Sequence, residues 1–263
     1  MDATDRQNEI LGMLTSQDRV EVEDLAGRFG VSLQTVRTDL RDLSARGLLS
    51  RVHGGAVRIA SAANRGYAER RSLNASGKRA MAALAAEIIP EHCSLALNIG
   101  TSTEQVARSL SSHSGLTILS NNINIINIMM TENPKDLILV GGSIRQSDGA
   151  IVGEEAVEFI SRYKVDYAVI GASAMDDDGS ILDHDAREVA VARAILKNAR
   201  HRILVCDGGK FDRSAPVRIC ALEDLDTIIT DRPVPQDFSD AAATAGTRIL
   251  VAGLGETESN ENE

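Results

Sequence analysis

The stretch RQNEILGMLTSQDRVEVEDLAGRFGVSLQTVRTDLRDLSARGLLSRVHGGAV, residues 6–57, decides the first part of the fold. Between Asp5 and Ser16, Ile10, Leu11 and Leu14 recur at helical spacing. Val20 to Phe29 gives a second helix with Leu25 and Phe29 inward. Gly30-Val31-Ser32 is a turn: Gly30 stands just past a helix end, where a left-handed residue closes the helix, and Ser32 is a natural N-cap. Val36, Leu40 and Leu43 lie at i, i+4 and i+7 and form the buried stripe of a third helix. That phase turns Gln34, Thr35, Arg37, Thr38 and Arg41 outward. Leu48 to Arg58 reads as a two-strand tongue, with Gly54-Gly55 supplying the freedom a tight turn needs. This order is a winged helix-turn-helix, which lays its third helix in the major groove of DNA.

Arg37 and Arg41 repel each other at i, i+4, and a polyanion relieves that repulsion. Ser32, Gln34, Thr35 and Thr38 share the same helix end and reach base edges or phosphates. Arg51 and His53 on the tongue then touch the DNA backbone or minor groove. The alternative for such a helix face is plain solvation, and the surrounding winged helix weighs against it. The net charge of −10 is unusual for a DNA binder, yet it is unevenly distributed. Residues 34–58 carry five arginines against Asp39 and Asp42, so DNA contact is confined to this element while the acidic remainder repels it.

The 263 residues suffice for two domains with real cores. No run approaches the ~20 apolar residues of a membrane span, and the start MDATDRQNE is neither a signal nor a transit peptide, so no membrane partner is expected. Cys93, Cys206 and Cys220 form no CxxC and no zinc spacing and read as small buried hydrophobes in a reducing cytoplasm. The domains are expected at 1–58 for the winged helix, 59–77 for a linker anchored by Tyr67, 78–254 for an effector domain and 255–263 for a disordered acidic tail. Within 78–254 a helix runs from about Lys78 to Ile89. Apolar runs such as SLALNIG, LTILSNN, LILVGG, AIVG, DYAVIGAS, RILVCDGG, DTIITD and TRILVA then alternate with helical segments. That alternation predicts an α/β domain with a mainly parallel sheet.

Ligands of open parallel sheets bind at the carboxyl ends of strands. There the sequence places Gly100-Thr101-Ser102-Thr103, Ser120-Asn121-Asn122, Gly141-Gly142 with Arg145, and Gly171-Ala172-Ser173. A helix start with unsatisfied N–H groups and hydroxyls suits an anion, although an ordinary cap explains the GTST string equally well. Arg145 can pair with a phosphate or sit on the surface. Asp183, Glu188 and Lys210 suit a phosphorylated polyol, with carboxylates accepting from hydroxyls and the lysine facing phosphate. They equally suit proton abstraction beside a carbonyl, so an isomerase-like enzyme acting on a sugar phosphate is the second reading. Asp183 can instead cap the following helix. No cofactor or metal is expected, because the GxSxG, HExxH and Walker patterns are missing.

TVRTDLRDLSARGLLSRVHGGAV resembles the DeoR family of bacterial repressors. The pieces YAERR, GKRAMAALAAEII, IGTSTE, SNN, LVGGSIR, VGEEAVEFI, DYAVIGAS, DGSILDHDAREV and GGKFDRSA follow in the family's order across about residues 5–252. The resemblance implies an effector domain like ribose-5-phosphate isomerase that binds a phosphorylated sugar or polyol without turning it over. It implies phosphate at Gly100, Thr101, Ser102 and Thr103, with Arg145 and Lys210, and a polyol among Asn121, Asp183 and Glu188. It further implies double-stranded operator DNA and a second copy of the chain, as dimer or tetramer, as partners. Thr38 departs from the family in standing where many members carry a second arginine, and Asn98-Ile99-Gly100-Thr101-Ser102 replaces the common Asp-x-Gly-Thr-Thr. With SILDHD, that loop is similar to the branch responding to glycerol 3-phosphate. The expectation is a repressor of a carbohydrate or polyol catabolic operon.

Overall fold

The computed structural model describes residues 2–17, 19–46, 48–57, 66–132 and 134–253. Arg58 and the acidic tail at 255–263 lie outside them.

Helix α1 (Ala3–Ser16) starts on Asp2, whose side chain accepts from the Asp5 N–H at 2.8 Å. Strand β1 (Arg19–Glu21) leads into α2 (Val22–Phe29), which Gly30 closes at φ +64°. Ser32 caps α3 (Leu33–Ala45) by accepting from the Thr35 N–H at 3.1 Å. Strands β2 (Ser50–Val52) and β3 (Gly55–Val57) form the tongue, and β1 adds antiparallel to β3. The sequence suggests that the second helix begins at Val20. Instead Arg19–Glu21 is a strand, because Val20 buries its side chain while its neighbours stay half-exposed. A Cβ on Gly55 would stand 2.0 Å from the Val20 carbonyl oxygen, so only glycine lets β1 and β3 pair. Ile10, Leu14, Leu25, Val36, Leu40 and Leu43 share the core of this domain. Each fully buried leucine or isoleucine contributes roughly 1.5–3 kcal/mol.

Two helices occupy part of the expected linker. Helix α4 (Tyr67–Ser72) buries no residue fully, so it carries no apolar period to read. Helix α5 (Ala75–Ile88) starts three residues earlier than expected, from Asn74 in the left-handed region at φ +48°. The Asn74 side chain donates to Asp231 at 2.7 Å. The chain continues through β4 (Ser94–Leu97), α6 (Thr101–Ser109), β5 (Thr117–Ser120), α7 (Ile123–Met129) and β6 (Asp136–Leu139). A small hairpin, β7 (Ile144–Arg145) with β8 (Ala150–Ile151), and α8 (Glu154–Ser161) follow. Then come β9 (Val165–Ile170), β10 (Ala174–Met175), β11 (Ile181–Asp183), α9 (Ala186–Lys197) and β12 (Ala199–Val205). Strands β13 (Val217–Cys220) and β14 (Thr227–Thr230), helix α10 (Gln236–Ala245) and β15 (Arg248–Val251) complete the domain.

Seven strands form one sheet in the order β15-β14-β12-β9-β4-β5-β6, and every pairing is parallel. The mainly parallel α/β domain read from the sequence is therefore present. The AIVG run lies in the β7–β8 hairpin rather than in this sheet. Strands β10, β11 and β13 make a separate antiparallel sheet that the sequence did not signal. One face of the large sheet packs on α5, α6 and α7 through Met81, Val106 and Ile125. The other packs on α8, α9 and α10 through Ile160, Ile195 and Phe238. The strand order reverses between β4 and β9, and the crevice at their carboxyl ends is where such sheets bind ligands.

Candidate functional site

The outward face of α3 matches the helical phase. Ser32, Gln34, Arg37, Thr38 and Arg41 are exposed and Thr35 is half-buried, while Val36, Leu40 and Leu43 are buried. The Thr38 hydroxyl donates to the Gln34 carbonyl at 3.0 Å. Beneath the helix Asp39 is buried and accepts from Arg6 Nε at 2.5 Å, fixing α3 against α1. On the tongue Arg51 is exposed, whereas His53 is half-buried and turned toward the effector domain.

At the β4–β9 crevice lies a cavity with about 490 Å³ of atom-free space, part of it open to solvent. Ile99 to Ser102 form one wall, where β4 gives way to α6. Gly100 sits at φ +144°, and no side chain caps α6, so its first N–H groups face the cavity side. Gly171 to Ser173 at the end of β9 form another wall. Four cations line it: Arg70 from α4, Lys78 from α5, and Lys210 and Arg213 from the turn after β12. Asp183, Glu188 and Asp207 line it as well.

Of the expected effector residues, Gly100, Thr101, Ser102, Asp183, Glu188 and Lys210 thus come together. Thr103 is fully buried behind the wall, its hydroxyl donating to the Gly100 carbonyl at 2.8 Å. Asn121 is also fully buried; its amide donates to the Ile151 carbonyl at 3.0 Å and its Oδ1 has no partner among the described residues. Arg145 stands behind Glu188 and is engaged by three carboxylates: Asp148 at 2.6 Å, Glu188 at 2.8 Å and Asp185 at 3.1 Å. It positions Glu188 rather than lining the cavity. The helix cap of α9 is Asp185, which accepts from the Arg187 N–H, so Asp183 is free of that duty.

Arg70, Lys78, Asp207 and Arg213 were not singled out from sequence. Adjacent basic residues in YAERRS, the lysine in the first turn of α5 and the charged residues of CDGGKFDR are the hints. Lys78 donates to the Arg70 and Leu73 carbonyls, which ties α4 to α5. Tyr67 anchors α4 at its other end by donating to Glu104 at 2.8 Å. Burial and Glu104 push the Tyr67 hydroxyl up to about 12, so it remains a donor.

The cavity holds its charges at a cost. Burial pulls the Lys78 ammonium down to about 8, despite Asp207, and lowers Lys210 as well. Burial, then Asp183, pushes the Glu188 carboxyl up to about 7 against the pull of Arg145. Poorly solvated cations around an uncapped helix start are poised for an anion. Among the described residues no cluster suits a metal ion, and no helix is long and apolar enough to cross a membrane.

A winged helix with an arginine-bearing recognition face, joined to an α/β domain with a cationic cavity, defines a ligand-responsive transcriptional regulator. Residues 6–62 match the DeoR-like helix-turn-helix domain, and residues 73–232 match the DeoR C terminal sensor domain. The chain belongs to the DeoR family. It is 40% identical to the glycerol-3-phosphate regulon repressor of Escherichia coli (strain K12) over 235 residues, 89% of this chain and 93% of that protein. The protein of the same name from Haemophilus influenzae is 39% identical, covering 94% of this chain and 96% of its own. The HTH-type transcriptional repressor CsqR of Escherichia coli is 33% identical, covering 94% of each. Ribose 5-phosphate isomerase A from Methanocaldococcus jannaschii overlaps 52% of this chain and 54% of its own, at 14% identity and a TM-score of 0.38. The chain is therefore a DNA-binding transcriptional regulator with an effector-sensing domain, as its repressor relatives indicate, rather than an isomerase.

Proposed function

We propose that this chain represses an operon for polyol or sugar catabolism and leaves its operator when a phosphorylated polyol, glycerol 3-phosphate, enters the cavity. The carrying observation is the composition of that one cavity. Arg70, Lys78, Lys210 and Arg213 line the cavity with the uncapped start of α6, a set of donors that suits a phosphate. Asp183 and Asp207 are acceptors when ionised, which favours hydroxyls beside the phosphate over a second acid group. The names of the glycerol-3-phosphate regulon repressors among its relatives support a three-carbon polyol phosphate. Operator contact falls to Ser32, Gln34, Thr35, Arg37, Thr38, Arg41 and Arg51, with His53 when the tongue is free. A lone winged helix supplies too few contacts for a typical specific affinity, so a dimer or tetramer acts on paired half-sites in the cytoplasm.

Titrating operator-bound protein with phosphorylated polyols and sugars, followed by fluorescence anisotropy, tests the reading. Glycerol 3-phosphate should release the protein and glycerol should not. Release by a hexose or pentose phosphate alone would discard the three-carbon effector, and release by an uncharged ligand would discard the anion site.

A further inference from the structure

The tongue of the winged helix does not stand clear of the effector domain. The His53 N–H donates to the Phe211 carbonyl at 2.9 Å, and its Nδ1 lies 2.7 Å from Asp177 Oδ1. The rings of His53 and Phe211 meet edge-on at 6.1 Å. Arg19 of β1, which donates to the His53 carbonyl at 3.0 Å, also pairs with Asp212. Asp176, Asp177 and Asp178 share a cleft with Arg51. A second cleft brings Asp177 and Asp237 to the same space as Arg37 on α3. Carboxylates of the effector domain thus line the same clefts as Arg37 and Arg51, and Asp177 occupies the Nδ1 of His53.

The docking point adjoins the cavity wall. Phe211 and Asp212 belong to the short helical turn Gly208–Asp212, which also carries Lys210. Arg213 follows directly, and Asp231 and Asp207 brace the turn by accepting from the Gly208 and Gly209 N–H groups at 2.7 and 3.1 Å. A ligand held by Lys210 and Arg213 fixes the two residues between them, which are the ones that grip the tongue.

We propose that the docked tongue is the off state of the regulator: Phe211, Asp212 and Asp177 hold the tongue against the effector domain, with further carboxylates in the clefts beside its DNA-facing cations, and the effector strengthens this docking through the 208–212 turn. The second clause rests on the effector reading above; the first does not. A ligand shifts such an equilibrium only by preferring one state, and gripping a turn that is ordered when docked supplies that preference. Operator binding must then separate the tongue before it can engage.

The test is the full chain carrying Asp177→Ala with Asp212→Ala, against a control of equal charge, Glu154→Ala with Glu158→Ala on α8. All four side chains are at least partly exposed, so folding is expected to survive, and a thermal melt checks it. Without ligand, the docking variant should bind operator about fivefold or more tighter than the parent and than the charge control. Because linkage is reciprocal, it should bind glycerol 3-phosphate more weakly than the parent in calorimetry and be released from operator by it much less. Ligand-free affinity equal to that of the charge control would overturn the docking. Unchanged release would overturn the relay through the turn. If the parent binds no polyol phosphate, the effector reading fails, and the ligand-free comparison still decides whether docking opposes DNA.

Discussion

Asp39 has both oxygens occupied beneath the recognition helix, by Arg6 Nε at 2.5 Å and by the Gln7 amide at 3.3 Å. Asp39→Ala would leave the Arg6 guanidinium buried without its counter-charge, a loss of about 3–5 kcal/mol. Urea denaturation should show it as a lowered midpoint at unchanged slope; a loss under about 1 kcal/mol would mean that water reaches Arg6. In the cavity, Lys78 carries a different signature. Its pKa of about 8 lies below the ordinary 10.5, so between those values the empty cavity holds it largely neutral. A phosphate dianion favours the ammonium and raises that pKa again. Binding at about pH 8.5 should therefore take up protons, measured by calorimetry in two buffers of different ionisation enthalpy. Equal heats in the two buffers would place the anion elsewhere.

Helix α3 presents Arg37 and Arg41 one turn apart on an exposed face. Arg37→Ala and Arg41→Ala should each weaken operator binding without lowering the melting temperature. If each arginine neutralises a DNA phosphate, each alanine variant should also flatten the log–log salt dependence by about one unit. Unchanged affinity and slope in both variants would remove α3 from the interface. This helix was legible in the sequence because Val36, Leu40 and Leu43 announce its buried side and Ser32 its start. The inner strands of the large sheet were legible for a related reason: buried on both faces over most of their length, they read as Val, Ile and Leu runs. Strand β1 was hidden because three residues around a single inward valine carry no period. Helix α4 was hidden because polar bonds, not buried apolar area, hold it. The cavity was half legible. Its loop at Gly100–Ser102 and Asp183 sit at strand ends, whereas Arg70, Lys78 and Arg213 meet only because the sheet topology folds distant segments together.

Across the whole molecule, the relay proposed through the 208–212 turn would link the two affinities. Operator DNA should weaken effector binding by the same factor that the effector weakens operator binding, in the range of about 5- to 150-fold. Calorimetry of glycerol 3-phosphate into free and operator-bound protein measures it, and identical affinities in the two titrations would mean no communication. The position of α4 adds a practical consequence. The sensor-domain match begins at residue 73, yet Arg70 and Tyr67, three and six residues earlier, close the cavity and fasten to Glu104. A sensor cut at 73 would lose part of its own pocket. Anyone grafting this domain onto a foreign DNA-binding head must make the splice upstream of Gly66, because α4, which precedes the matched sensor, is also a piece of its pocket.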